Sequence, residues 1–414
     1  MNIVMIPFHD WKKCEREGFR TRDAHFMEEF GRHPLVDKLL ILNRPTSLPE
    51  ITLLRKNWHV LRGTTLKETN DIRISQVDHK TFTLDLRVWD TVEPIIHRRN
   101  WIPKAYAKNK YVESIHVALE YLEIAKDYAL FISAPLFAPL VGKLAPAVLW
   151  FDAQDNLLKH ALYRNVPHLS SYYDQCLDMA DFVSANSTET TEWLSQKDSA
   201  AIHIGNGVSA EFFDPQKSYP IPADMLPISR PIVGYAGKMQ EMFDVPLMMM
   251  VAESLPEVNF VFIGQQLNSK WMQPLWNYSN VFYLGDKPYS LLPDYLSAFD
   301  ICIIPYRINM QHGGDPIKFY EYLAMQKPIV TTDIGEVGRF REFSRVWVSS
   351  NADTFIQDLL SALSELRELQ VTPISQLPSN VLWSNKVDQI IQQIHTKLKG
   401  RLPNESTDLH SFPD

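Results

Sequence analysis

Short, mainly apolar runs recur along this 414-residue chain, and they limit its fold more tightly than any other feature. NIVMI opens it, KLLIL follows at 38–42, and runs at 129–133, 147–151 and 181–185 show no polar alternation. A strand that is apolar on both sides is buried on both faces, as in a parallel sheet covered by helices. Helical spacing falls between these runs: near 23–30, over 111–126 (Val112, Ile115, Leu119, Leu122) and over 169–179. Residues 72–90, IRISQVDHKTFTLDLRVWD, alternate instead and read as a hairpin or an edge insertion.

A proline-rich stretch, YPIPADMLPISRP at 219–231, precedes a second series of the same kind. Strands are expected at 231–236, 259–263, 281–284, 300–305, 329–331 and 346–348, with helices at 245–255, 291–299, 352–366 and 384–398. The fold class is therefore α/β: two doubly wound, Rossmann-like domains facing across a cleft. Expected boundaries are 1–205, a linker at 206–230, a second domain at 231–378, a helix at 379–400 packing back toward the first domain, and a disordered tail at 401–414. Residues 128–151 have the length of a membrane span. Lys143, Pro135, Pro139 and Pro146 interrupt them, so two buried strands joined by a loop fit better.

A net charge of -8 disfavours a nucleic-acid partner. Residues 1–200 carry 25 Lys+Arg against 26 Asp+Glu, whereas the remainder carries 16 against 23. The first half is thus the better suited to an anionic acceptor or membrane surface. Residues 95–114 mix Arg98, Arg99, Lys104, Lys108 and Lys110 with Trp101, Tyr106 and Tyr111, which suits peripheral contact with an anionic membrane as well as a solvated loop. Cys14, Cys176 and Cys302 have no metal or redox spacing, and the opening residues have no cleavable-signal layout. A cytoplasmic location is expected, with association at the inner face of the membrane.

The most chemically pointed stretch is GGDPIKFYE, 313–321. Gly313 and Gly314 give backbone freedom, Asp315 is suited to cap a helix and Pro316 to begin it. A glycine loop at a helix N-terminus favours an anion. Lys318 and Glu321 then share one helical face, where Glu321 is either a ligand group or an ordinary surface partner of Lys318. Three strand ends accompany it: Gly237-Lys238, Gly264, and the loop of NVFYLGDKPY. In the first half, His9, Arg20, Arg22, Asp152 and Asp155 follow strands on the cleft side. Asp152 is suited either to orient an acceptor hydroxyl or to cap the next helix. The two arginines are suited to a diphosphate or an anionic acceptor, or to a solvated helix.

These motifs resemble those of GT-B glycosyltransferases of the large retaining group 4. NGVSAEFFDP resembles the interdomain signature, DFVSANSTETTEWL the segment before it, and VGYAGKMQEMFDVPLMM the start of the donor domain. AFDICIIPYR with GGDPIKFYEYLAMQKPIVTT resembles the late donor-domain motif, and IPFHDWKKCEREGFRTRD resembles the TuaH-like branch of envelope polysaccharide synthesis. The resemblance implies transfer of a sugar from a nucleotide-diphosphate sugar to a glycan or lipid-linked acceptor, with retention. That sugar nucleotide is a co-substrate; no cofactor and no metal are expected.

By the same resemblance Glu321 holds ribose hydroxyls, Gly237 and Lys238 contact phosphate, Pro288 and Tyr289 flank the base, and Gly18 approaches the diphosphate. Gly313, Gly314, Asp315 and Lys318 complete the donor grip, with Asp152, Lys238 and Lys318 as catalytic candidates and His9, Arg20 and Asp155 on the acceptor side. Three departures stand out. The first glutamate of the family's paired motif is replaced by Gly313. Phe243-Asp244 lie where a second basic residue is usual, a charge that Lys318 could supply. No histidine follows the late strand of the first half. A nucleotide-sugar 2-epimerase and a non-catalytic binding subunit are alternatives on the same fold. A dinucleotide enzyme is disfavoured because the first strand leads into PFHDWKK, without the glycine fingerprint.

Overall fold

The computed structural model describes residues 1–124, 127–160, 162–197, 200–310, 314–367 and 377–401. The first sheet comprises β1 (Asn2–Ile6), β2 (Lys38–Leu42), β3 (Thr46–Ser47), β4 (Thr64–Glu68), β5 (Ile72–Gln76), β6 (Thr81–Val88), β7 (Ala129–Ile132), β8 (Val148–Ala153), β9 (Phe182–Ala185) and β10 (Ala201–His203). Its order is β10-β9-β8-β7-β1-β2-β6-β5-β4, with β3 paired to β6. The apolar runs form the parallel centre, where Val4 lies opposite both Leu40 and Leu130. The alternating stretch is an antiparallel hairpin, β5 on β6, and β4 extends it to the edge.

The second sheet comprises β11 (Ile232–Ala236), β12 (Asn259–Ile263), β13 (Val281–Tyr283), β14 (Ile301–Ile304), β15 (Ile329–Thr332) and β16 (Val346–Ser349). All its pairings are parallel, in the order β13-β12-β11-β14-β15-β16. The order reverses between β11 and β14, and such a reversal opens a crevice beyond the carboxyl ends. Among the described residues no helix is long and apolar enough to cross a membrane; residues 128–151 form β7, a helical connection and the start of β8.

The two domains are tied by the last helix, Trp383–Arg401. Its buried residues Trp383, Val387, Ile390, Ile391 and Ile394 join a core with Ile3, Phe26, Phe30, Phe131 and Trp150 of the first domain. Trp383 stacks on His25 at 5.0 Å and meets the edge of Phe26 at 5.6 Å. Residues 206–230 are not a free tether. Val208, Phe213, Met225 and Ile228 are buried in the core of the second domain, and the Val208 amide donates to the Val381 carbonyl at 2.9 Å.

Two readings of local sequence need correction. Trp101, Tyr106 and Tyr111 are buried, the two tyrosines in the core that includes the first sheet, so the aromatic residues of 95–114 are interior and not surface. Asp315 does not cap the helix that follows. That helix spans Ile317–Ala324 with Pro316 at its N-cap, because the Asp315 carboxylate is taken up by other donors. The expected tail, 401–414, lies outside the described residues apart from Arg401, which ends the last helix.

Trp383→Ala removes the largest side chain that the last helix plants in the first domain. It should cost about 3–5 kcal/mol, read as a lower urea midpoint.

Candidate functional site: a cleft between the two sheets

The first turn beyond β11 is dictated by backbone sterics. Gly237 has φ +151°, and a Cβ there would stand 2.4 Å from Lys318 Cε. Gly264, beyond β12, has φ +128°, and its Cβ would fall 2.0 Å from the Gly237 carbonyl oxygen. Two neighbouring strands thus end in bare backbone, and a ligand approaching them meets peptide groups in place of side chains.

Above this floor lies a cavity of about 370 Å³ walled by both domains. From the second domain it receives Gly237, Lys238, Gly264, Pro288, Tyr289, Gly314, Asp315, Lys318 and Glu321; from the first, His9, Arg20, Arg22, Gln154 and Asp155. The donor-side and acceptor-side candidates therefore meet in one space, with three exceptions. Gly313 lies outside the described residues. Gly18 ends the Trp11–Glu17 helix with φ +84° and backs onto Tyr289, its Cβ position 3.5 Å from Tyr289 Cβ, without joining the cavity wall.

Asp152 is the third exception and leaves the catalytic set. It is fully buried, and Arg22 grips both its oxygens at 2.9 Å while the Ser184 hydroxyl donates at 2.7 Å. Its work is to hold Arg22, which is 4% exposed and lines the cavity, so the expectation of a solvated arginine fails at that position. Arg22 also donates to Gly205 and Asn206.

Glu321 is buried one turn into the Ile317–Ala324 helix, and its Oε1 accepts the Tyr289 hydroxyl at 2.6 Å. It is not an ordinary surface partner of Lys318. Burial pushes its carboxyl up to about 7, against the Tyr289 hydrogen bond and the Lys318 charge. Lys318 is cradled by aromatic faces, its Nζ 4.8 Å from the Tyr306 ring and 5.2 Å from that of Tyr235, and it donates to the Tyr306 hydroxyl. Asp315 accepts from the Tyr320 hydroxyl at 2.7 Å and from the Asn206 amide, with its pKa raised to about 6 by burial. The motif aspartate thus fastens the interdomain turn.

On the opposite wall, Asp23 organises His9. Its Oδ2 accepts the His9 amide at 3.0 Å and His9 Nδ1 at 3.2 Å, and its Oδ1 accepts Gln154 Nε2 at 2.7 Å. His9 Nδ1 is thereby held against a fully buried carboxylate, with the ring in the cavity wall. Two ion pairs cross the cleft: Lys238 with Glu17 at 2.6 Å, and Arg20 with Asp286 at 3.0 Å. Burial raises the Glu17 pKa, but the hydrogen bond from Lys238 and the charges of Lys13 and Lys238 outweigh it and hold the carboxyl below its ordinary value. Glu17, Asp23, Asp286 and Gln154 carried no sequence signal, since each meets a partner far away in the chain. Among the described residues no group of three or more His, Cys, Asp or Glu is arranged to hold a metal ion.

Two Rossmann-like domains with facing sheet ends and a cationic cleft between them define the GT-B fold. Within it, residues 230–365 match the glycosyl transferases group 1 family. A Bacillus subtilis (strain 168) protein named as a teichuronic acid biosynthesis glycosyltransferase, TuaH, is 24% identical over 173 residues, which cover 40% of this chain and 44% of TuaH. Sucrose-phosphate synthase from Thermosynechococcus elongatus superposes with a TM-score of 0.67 at 12% identity, over 97% of this chain and 100% of that one. Anabaena HepE in complex with UDP-glucose gives 0.60 at 13%, again over 97% and 100%.

A carboxylate held at a raised pKa weakens the fold when it ionises. The stability Glu321 permits is fully present below the ordinary carboxylate range and is lost as pH rises through about 7. Glu321→Gln should therefore melt with wild type near pH 5 and above it at pH 8, by roughly 3 kcal/mol at most. Differential scanning calorimetry at the two pH values checks this.

Proposed function

We propose that this protein is a glycosyltransferase that moves a sugar from a nucleoside-diphosphate sugar to a glycan or lipid-linked acceptor. The observation that carries the reading is Glu321: a carboxylate buried at a stability cost, beside Tyr289, in a cavity whose floor is bare glycine backbone. A buried carboxylate at that place suits paired hydroxyls, such as those of a ribose. The group 1 family match over this domain supports the reading, as does the fold shared with a protein solved with UDP-glucose.

In this reading the diphosphate lies over Gly237 and Gly264, within reach of Lys238, Lys318 and Arg20. Transfer breaks the bond from the sugar's anomeric carbon to the diphosphate, and the leaving electrons need only fixed positive charge to receive them. Lys318 is the best placed of these cations, because its aromatic cradle fixes it without neutralising it. His9, held by Asp23 in the cavity wall, and Asp155 are polar groups of the first domain offered to the incoming hydroxyl. Retention at the anomeric carbon, independence of a metal, a place in envelope polysaccharide synthesis and work on the cytoplasmic side complete the proposal.

Wild-type protein should gain melting temperature with the nucleoside diphosphate or sugar nucleotide it binds, in a thermal-shift panel across bases and sugars. Glu321→Ala should abolish the gain. A gain that survives the substitution sinks the site, and an epimer formed from sugar nucleotide without acceptor sinks the transferase reading. With an active donor and acceptor in hand, Lys318→Ala should lower kcat by about 100-fold to 1,000-fold and leave nucleotide binding within about tenfold, as expected of a group that stabilises the leaving charge.

A further inference from the structure

The first domain carries its exposed apolar side chains close together. Leu53 and Leu54 are 73% and 64% exposed, and Trp89, Val92, Ile95 and Ile96 lie between 50% and 67%. The segments that carry them run side by side: Ser47 pairs with Val88, and the Arg87 guanidinium sits 4.8 Å from the Trp58 ring and 4.6 Å from that of Trp89. Cations accompany them: Arg55 and Arg62 flank the first group, and exposed Arg99 and Lys104 follow the second. Asp90 and Glu93 share the single Lys108, at 2.9 and 3.2 Å, and Asp71, which accepts the Trp89 indole N–H, is paired with Lys110 at 2.8 Å. Arg55, Arg99 and Lys104 still outnumber the one carboxylate charge that Lys108 leaves unmatched, in a chain whose net charge is -8.

This ridge also leads to the acceptor side of the cleft. His9, in the cavity wall, packs on Phe8 at 5.0 Å, and Phe8 packs on Tyr163 at 5.3 Å. Arg99 covers Tyr163 at 5.3 Å and donates to the carbonyl of Leu162, another exposed apolar residue. Side chains that stay apolar and exposed cost solvation unless something covers them, and a cationic rim selects an anionic cover.

We infer that the ridge formed by residues 53–54 and 89–96 docks the first domain on an anionic lipid bilayer, with the basic rim on the headgroups and Val92, Ile95 and Ile96 in the acyl boundary. The occupant is lipid and not protein because the two exposed apolar segments bring several cations whose charge is not cancelled locally, the pairing that anionic bilayers reward. A lipid-linked acceptor would then enter the cleft past Leu162 and Tyr163 with its carrier still in the membrane. The inference deepens the lipid-linked acceptor reading, but it is read by binding to vesicles and not by transfer.

The test is co-sedimentation of the full chain with vesicles one-third phosphatidylglycerol, against pure phosphatidylcholine. Wild type should bind the anionic vesicles at least about tenfold more, and high salt should release it. The triple variant Val92→Ser, Ile95→Ser, Ile96→Ser and the double variant Arg99→Glu, Lys104→Glu should each lose about tenfold in binding. The triple variant should keep the wild-type melting temperature, since none of its side chains is in the core; the double variant, which also loses the Arg99 contacts to Tyr163 and Leu162, should keep a single cooperative melting transition. Equal binding by the variants, or no binding by wild type, overturns the inference. So does a wild-type dimer in solution that the triple variant converts to monomer, which would make the ridge a contact between copies. Donor thermal shifts unchanged in both variants separate loss of docking from failure of the site.

Discussion

The last helix sets the geometry on which the cleft depends. By chain order Trp383–Arg401 belongs to the second domain, yet its apolar face completes the core of the first. Val381 is buried in the core of the second domain and Trp383, two residues on, between His25 and Phe26 in that of the first, and burying an indole is among the larger single contributions a core residue makes. The carboxyl ends of β1 and β11 therefore face one another at a separation that side chains of both domains can bridge. Everything chemical in the molecule sits in that gap.

Within the gap, charge is held where burial resists it. Glu321 and Asp315 are both pushed up by loss of water, and Lys386, also buried beside this turn, is lowered to about 8 mainly for the same reason. Buried ionisable groups weaken a fold unless they are paired, and clusters of them gather where a ligand is to be recognised. Asp315 and Glu321 divide the labour. The first is spent on Asn206 and Tyr320, tying the interdomain turn to the donor helix, while the second accepts, among the described residues, from Tyr289 through one oxygen and keeps acceptor capacity for something else.

The strands were readable because parallel pairing buries both faces and leaves few polar residues to blur the pattern; the alternation of 72–90 likewise marked its antiparallel hairpin, although β6 is buried on both faces. Glycine-ended strands and the DPIKFYE helix were readable because their chemistry is local. Partners across the fold were not. Nothing near Arg22 announces that Asp152, 130 residues away, removes it from water, and nothing near His9 announces its tie to Asp23. The aromatic residues of 95–114 misled for a related reason: a mixed basic and aromatic sequence is equally consistent with tyrosines turned inward beneath lysines turned out. Which face is buried is decided by β6 and the helical connection after β7, which the segment itself does not encode.

The cross-cleft pairs of Lys238 with Glu17 and Arg20 with Asp286 carry one more implication. In the proposed reading a diphosphate entering this cavity finds Lys238 and Arg20 already engaged, and it displaces the carboxylates that hold them. Binding is then a substitution of one anion for another, and its strength is the difference between two ionic attachments and not the whole of one. Each released carboxylate also belongs to the domain opposite the cation it leaves, so the same substitution unfastens one domain from the other. On the same reading a spent nucleotide leaves by the reverse trade, with Glu17 and Asp286 as its replacements.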